Sequence, residues 1–154
     1  MSRDEQAKRR SGTLMTARCY VPSPVESTPP AFDLPDPEPV AARRATRSLV
    51  AESPLDDDAR EGLIGAVSEV VTNASLHGRP PVQVQGWLDH GAATITVHDA
   101  GDGPGDPEVG LRPAPRDPGQ GGFGLWLARQ MCSELAMGRG ATGFTVRLVA
   151  RPAP

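Results

Sequence analysis

The sequence predicts an α/β (α+β) fold, a two-layer sandwich in which helices cover one face of a mixed β-sheet. Apolar residues recur at helical spacing in three segments, which indicates three amphipathic helices. Other segments alternate between apolar and polar residues or are rich in β-branched residues, as strands are. A chain of 154 residues, of which 38% are hydrophobic, suits one such domain.

The first predicted elements are a short strand and a helix. The strand covers 31–34 and reads as an edge strand, because Pro35 and Pro37 stop it. The helix covers 38–52 and ends at the Ser-Pro pair 53–54, since the residue before a proline is pushed out of the helical region.

The longest predicted helix spans 56–76. Three aspartates at 56–58 supply an N-cap and a favourable charge at the positive end of the helix dipole. Gly78 and the Arg-Pro-Pro that follows it end the helix. Its apolar arc consists of Leu63, Val67, Val70, Val71 and Ala74.

A hairpin is predicted next, from strands at 82–88 and 92–99 around an Asp-His-Gly turn. Ile95, Val97 and Asp99 point to the same face of the second strand, so a carboxylate ends a buried series. A Gly/Pro-rich loop then runs from 100 to 121, and its length is typical of a lid.

A helix at 124–135 and a strand at 143–150 complete the prediction. The apolar face of that helix consists of Leu125, Ala128, Cys132 and Leu135. Residues 31–150 therefore form the folded domain, followed by a short tail at 151–154. Residues 1–30 are polar, punctuated by prolines and without periodicity, and are predicted to be a disordered N-terminal extension.

Composition excludes several functions. The net charge is -3 and the pI is about 5.6, so direct binding to nucleic acid is not expected. Lys8 is the only lysine, which excludes a P-loop in the folded part. Cys19 and Cys132 do not have metal-binding or redox spacing, and no run is long enough to span a membrane. A cytoplasmic protein with free thiols and no membrane association is expected.

Glu69 and Asn73 lie one turn apart on the side of their helix opposite the apolar arc. Gly62, Gly65 and Ala66 occupy the preceding turns of that side. One interpretation is a solvated polar face. The other is a ligand face, in which small residues leave room, an amide oxygen binds a hard cation and a carboxylate orients a hydroxyl.

Two glycine-rich segments follow. In "DAGDG", Asp99 precedes Gly101 and Gly103, which is compatible with a simple turn or with an acceptor for an adenine amino group. In "GQGGFGLWLARQ", the GxGxxG spacing is not a Rossmann motif, because the proline-rich residues before it cannot form a strand. A Gly-rich loop that opens a helix nevertheless suits phosphate binding.

The order of these motifs resembles that of the Bergerat-fold ATPases, the superfamily of gyrase, histidine kinases and mismatch-repair ATPases. The N-box is "EVVTNASLH", and the glycine boxes are "DAGDG" and "GFGL". The resemblance covers about 32–149. The chain is most similar to the small bacterial anti-sigma factor serine/threonine kinases. This resemblance implies an ATP site between helices and sheet beneath the Gly/Pro-rich lid.

The resemblance also implies a role for each motif residue. Asn73 would hold Mg²⁺ against the phosphates of ATP, and Glu69 would be the general base. Asp99 would bind the adenine amino group, while Gly101 and Gly103 would shape the base pocket.

Further ATP-binding residues are implied in the second glycine box and elsewhere. Gly122, Gly124 and Leu125 would bring backbone N–H groups to the phosphates. Phe123 lies in the same segment, at a position where relatives often carry an arginine.

Two more residues match family positions less specifically. Thr145 matches a threonine that supports adenine recognition, although it also reads as an ordinary strand residue. His77 matches a position next to the nucleotide, and it also suits the end of a helix.

The function implied is phosphorylation of an anti-anti-sigma protein, with a sigma factor as the second partner and a possible homodimer. One alternative is an ATP-binding module that switches partners without phosphoryl transfer. The catalytic domain of a histidine kinase is a further alternative, but residues 1–55 contain no phosphoacceptor histidine. A gyrase-like role would need a transducer domain for which the chain has no room.

Overall fold

The computed structural model describes residues 28–104 and 123–154, which form one sheet and three helices. The two-layer α+β sandwich predicted from the sequence is confirmed. Its elements, in chain order, are β1 (Phe32–Pro35), α1 (Pro39–Ala51), α2 (Asp57–His77), β2 (Gln83–Asp89), β3 (Ala92–Asp99), α3 (Phe123–Met131), β4 (Glu134–Gly140) and β5 (Gly143–Ala150).

The five strands are ordered β1-β2-β3-β5-β4. Every pair among these described strands is antiparallel, so the prediction of a mixed sheet is wrong for this part of the chain. The centre of the sheet is the pairing of β3 with β5, in which Val97 faces Val146 and Asp99 faces Phe144. Asp99 therefore lies at the end of a central strand.

Strand β4 was not predicted. The spacing of apolar residues predicts a last helix that reaches Leu135, but α3 ends at Met131 and Glu134 already begins a strand. Leu135 pairs with Leu148 on β5 and is fully buried. Pairing across a hairpin decides the conformation here, because tertiary packing overrides the weak local preference for helix.

Helices α1 and α2 begin and end close to where their sequences indicate. The Asp56 side chain caps α2 by accepting a hydrogen bond from the Ala59 N–H at 2.8 Å, and α1 begins with Pro39 in its first turn. Helix α2 ends at Gly78, whose N–H donates to the Ala74 carbonyl. None of the helices in the described part of the chain is long and apolar enough to cross a membrane.

All three helices share one hydrophobic core with a single face of the sheet, which we call the inner face. The helices contribute Leu49, Leu63, Val67, Val70 and Leu125, and the inner face contributes Val84, Ile95, Val97, Leu135, Val146 and Leu148. The carboxylate of Asp99 lies on this inner face, level with the C-terminal end of α2.

Candidate functional site

The polar side of α2 meets the first turn of α3. Glu69 and Asn73 are half-buried, and a β-carbon at position 124 would lie 3.2 Å from Oε2 of Glu69 and 3.2 Å from both side-chain heteroatoms of Asn73. A side chain at position 124 would therefore crowd both polar groups. Neither polar side chain has a hydrogen-bond partner among the described residues.

The small residues on this side of α2 serve a different purpose from the one expected. Gly62 and Gly65 were interpreted as room for a ligand, but the C-terminal end of α3 occupies that space. A β-carbon on Gly62 would fall on the carbonyl oxygen of Met131, and one on Gly65 would lie 3.2 Å from the Met131 sulfur. These glycines let the two helices pack closely, which fixes the position of Gly124.

Asp99 is held in place by backbone groups. Its side chain is 5% exposed, and Oδ1 accepts hydrogen bonds from the Gly101 N–H at 2.7 Å and the Arg79 N–H at 3.2 Å. The Arg79 carbonyl in turn accepts from the Ala100 N–H at 2.9 Å. No described residue donates to Oδ2, so one carboxylate oxygen retains its capacity to accept a hydrogen bond.

The residues just after α2 complete this arrangement, and sequence reasoning missed them. A β-carbon on Gly78 would lie 2.6 Å from Cγ of Asp99, so the end of α2 approaches the carboxylate directly. Gly78 and Arg79 were interpreted only as a helix stop. The glycine itself was the available signal, because a glycine after a helix also permits close approach of another group.

The first glycine box lies against β5. A β-carbon on Gly101 would lie 2.8 Å from Oδ1 of Asp99, and one on Gly103 would fall on the ring of Phe144. Gly103 has a φ of +76°, which favours glycine. Phe144 is buried, lies on the inner face beside Asp99, and was not identified from the sequence.

The two less specific candidates are placed elsewhere. Thr145 pairs with His98, and its hydroxyl lies 2.8 Å from Nδ1 of that histidine. Because side chains alternate along a strand, Thr145 points to the face of the sheet opposite the helices, and the structure does not bring it to Asp99. His77 is exposed at the last position of α2, one residue before Gly78.

The second glycine box is described only in part. Helix α3 begins at Phe123, and Leu125 is buried in the core. The first four N–H groups of a helix have no partner within the helix, so the first turn of α3, beside Asn73, is a candidate source of donors to a ligand. Gly122, the side chain of Phe123 and most of the predicted lid lie outside the described residues.

Comparisons with known proteins agree with this arrangement. A family model described as histidine kinase-like ATPase domain matches residues 35–150. No curated protein sequence matches the chain.

Among solved structures, the fold is similar to a crystal structure of the RsbU and RsbW domains of Rv1364c from Mycobacterium tuberculosis. The TM-score is 0.54 at 24% sequence identity, and the match covers 79% of this chain but 33% of that one. At this identity the similarity concerns the fold alone. The family model, in contrast, spans most of the chain, which therefore belongs to the histidine kinase-like ATPase domain family.

Proposed function

We propose that this protein is a cytoplasmic anti-sigma factor kinase that transfers the γ-phosphate of ATP to a serine or threonine of an anti-anti-sigma protein. The observation that carries the proposal is the approach of Gly124 to both Glu69 and Asn73. This contact places the N-box on α2 next to the second glycine box at the start of α3. The family supports ATP binding, and the similarity to a structure that contains an RsbW domain supports the regulatory role.

The residues around Asp99 fit an adenine base. Oδ2 of Asp99 is an acceptor without a described donor, and the exocyclic amino group of adenine is a donor. Gly78 and Gly101 let the backbone close around the Asp99 carboxylate, and Gly103 lets it pass against the ring of Phe144. That ring would supply an apolar wall for the base.

The residues around Asn73 fit a triphosphate with Mg²⁺. The free N–H groups at the start of α3 suit phosphate oxygens, and the Asn73 amide oxygen suits a hard cation. The described residues contain no group of three His, Cys, Asp or Glu side chains placed to hold a metal. This agrees with Mg²⁺, which is usually held by one or two protein ligands together with substrate phosphates and water. Mg²⁺ would neutralise charge on the phosphates.

Glu69 would then act on the phosphate acceptor. Its carboxylate would accept the proton of the serine or threonine hydroxyl while the hydroxyl oxygen forms a bond to the γ-phosphorus and ADP leaves. The half-buried position of Glu69 beside the first turn of α3 would align this oxygen with the phosphates.

A second candidate function is ATP-dependent partner binding without phosphoryl transfer. The observation that favours it is Phe123, at a position where relatives often carry an arginine, in a folded part that contains no lysine. A cationic phosphate contact would then be missing from the glycine box.

The nucleotide site is tested by thermal unfolding of the wild type and of Asn73→Ala with and without Mg-ATP. Ligand at about a hundred times its Kd stabilises a protein by roughly 2.7 kcal/mol. For a domain of this size we expect an increase of several degrees in the wild-type Tm and a much smaller one in Asn73→Ala. If neither protein responds although both are folded, the proposed site is wrong.

The two functions are separated by Glu69→Ala. With γ-labelled ATP and each candidate anti-anti-sigma protein of the source organism, the wild type should label a partner and Glu69→Ala should not, while both still bind Mg-ATP. Labelling that survives the substitution contradicts the role of Glu69. Sigma-factor regulation that persists without any labelling favours the second function.

A further inference from the structure

His98 lies one residue before Asp99, but its side chain is on the other side of the sheet. Side chains alternate along β3, so the imidazole points to the face opposite the helices while the Asp99 carboxylate lies on the inner face. Nδ1 of His98 lies 2.8 Å from the Thr145 hydroxyl, and Nε2 lies 3.3 Å from the Thr142 hydroxyl. Both ring nitrogens therefore have a partner.

The two hydroxyls come from the segment that faces the end of β3. Thr145 belongs to β5 and is the direct cross-strand neighbour of His98, whereas Thr142 lies in the turn between β4 and β5. A threonine hydroxyl can donate or accept, so both contacts can form with either tautomer of the imidazole and with the imidazolium. The imidazole thus links the end of β3 to the start of β5 and to the turn before it.

This link lies where the pairing of the two strands ends. Asp99 and Phe144 form the last pair between β3 and β5, and beyond it the chain enters the first glycine box. The ends of an element open more readily than its centre, because they have fewer packed neighbours. A side-chain link at the adjacent pair, that of His98 with Thr145, is therefore placed to limit opening at Asp99.

Contacts on the inner face carry the position of β5 to the base pocket. A β-carbon on Gly143 would fall on the Asp99 carbonyl oxygen, and one on Gly103 would fall on the ring of Phe144. Gly143 has a φ of +145°, which favours glycine. Because the start of β5 packs this closely against both Asp99 and the first glycine box, a shift of β5 would move the two together.

The Asp99 carboxylate is sensitive to such a shift, because backbone N–H groups hold it. Its Oδ1 accepts from Gly101 at 2.7 Å and from Arg79 at 3.2 Å. Movement of the end of β3 relative to these donors would lengthen the hydrogen bonds and change the direction in which Oδ2 points. The hydroxyls that hold His98 therefore bear on the atom proposed to recognise adenine.

We propose that His98 is a positioning residue for the nucleotide site. Held by Thr142 and Thr145, it fixes the ends of β3 and β5 and thereby the orientation of the Asp99 carboxylate. The inference deepens the proposed function and rests on it, since it takes Asp99 as the residue that binds the base. It also gives Thr145 an indirect role, in which its hydroxyl supports base recognition through His98 from the opposite face of the sheet.

The test compares Thr145→Val with Thr145→Ser in the full chain. Valine keeps the β-branched shape that suits a strand but removes the hydroxyl, whereas serine keeps the hydroxyl. We expect the Kd for Mg-ATP to rise about three- to tenfold in Thr145→Val and to stay within about twofold of the wild type in Thr145→Ser. The matched control is Thr94→Val, which removes a hydroxyl near the opposite end of the β3–β5 pairing and should leave the Kd unchanged.

A double-mutant cycle tests whether Thr145 acts through His98. The single variant His98→Phe should weaken Mg-ATP binding, and adding Thr145→Val to it should cause no further loss, because the two side chains then no longer share a hydrogen bond. Losses that simply add, or a Thr145→Ser variant that binds as weakly as Thr145→Val, overturn the proposal.

A further readout needs no nucleotide. Amide hydrogen exchange of the unliganded protein reports the Gly101 N–H, which is bonded to Asp99. This amide should exchange roughly three- to tenfold faster in Thr145→Val, whereas the amide of Val67 within α2 should not change. Unchanged exchange at Gly101 overturns the proposal. Equal acceleration at Val67 also overturns it, since the hydroxyl would then stabilise the domain as a whole.

The binding and exchange measurements together separate this inference from the proposed function. If the wild type binds Mg-ATP and Thr145→Val binds it equally well, the proposed function stands and the role of His98 is overturned. If the wild type does not bind Mg-ATP, the proposed function fails, and the exchange of the Gly101 amide alone decides whether His98 positions Asp99.

Discussion

Gly124 is the residue on which the candidate site depends most closely. It belongs to the first turn of α3, and the nearest side chains to its missing β-carbon are those of Glu69 and Asn73. A contact of 3.2 Å is tighter than most β-carbons experience, so a side chain here would push the two polar groups away from the helix start.

We predict that Gly124→Ala weakens Mg-ATP binding by about tenfold or more while the unliganded protein stays as stable as the wild type. Alanine favours a helix over glycine by roughly 1 kcal/mol, which offsets the crowding in the free protein. The measurements are the Kd for Mg-ATP by calorimetry and the Tm without ligand.

Gly140→Ala is the matched control, because a β-carbon at that position meets no atom within 4 Å. It should leave the Kd unchanged. If Gly124→Ala binds Mg-ATP as tightly as the wild type, the nucleotide does not occupy the junction of α2 and α3.

The residue types of this site could be predicted because short motifs report local chemistry. Glu69 and Asn73 fall on one side of a helix by their spacing alone, and Asp99 ends an alternating strand. Whether Phe144 or Thr145 faces Asp99 depends instead on the register between β3 and β5, which the sequence of either strand does not contain.

At the scale of elements, the packing of α3 on α2 positions the site. Gly62 accommodates a backbone carbonyl of Met131, whereas Gly65 accommodates only the end of its flexible side chain. The two glycines are one turn apart and both belong to α2, so they make a matched pair for substitution.

We predict that Gly62→Ala destabilises the domain by about 1–3 kcal/mol, the usual cost of overpacking, and also weakens Mg-ATP binding because α3 must move. Gly65→Ala should be nearly neutral in both respects, since a methionine side chain adapts to new neighbours. Urea unfolding and calorimetric titration measure the two effects. Equal behaviour of the two variants would mean that α3 is not held by close contact with α2.

The elements also differ in how well they could be predicted. Helix α2 was found nearly to its ends, because its capping aspartate and its terminal glycine are local signals. Strand β4 was assigned partly to a helix, because its apolar residues fit a helical spacing when taken alone. Only its pairing with β5 distinguishes the two structures.

At the scale of the whole molecule, the fold class was predictable because one layer of helices is the ordinary cover for a sheet with one apolar face. The burial of residues on the opposite face of the sheet was not predictable. Trp87 and Val149 read as residues of alternating strands, and nothing in their own segments indicates that their side of the sheet is covered.

Titration of Cys132 contributes to the free energy of unfolding of the whole molecule. Its thiol lies where α3 passes into β4. The thiol contacts the Ala128 carbonyl at 3.2 Å and the Glu134 carbonyl at 3.3 Å. Burial raises the pKa of Cys132 from its ordinary value of 9.0 to about 12. The folded protein therefore keeps this proton at a pH at which the unfolded chain releases it.

We predict that the free energy of unfolding falls as pH rises above 9, with a contribution from Cys132 that approaches about 1.4 kcal/mol per pH unit between the unfolded and folded pKa values. Below that window the contribution is fully present. Urea unfolding between pH 8 and about 10.5 measures it in a Cys19→Ser background, where Cys132→Ala should flatten the slope while lowering stability at neutral pH through lost packing. An identical slope in both proteins would show that the thiol is as accessible in the folded chain as in the unfolded one, and that the junction of α3 with β4 is open to water.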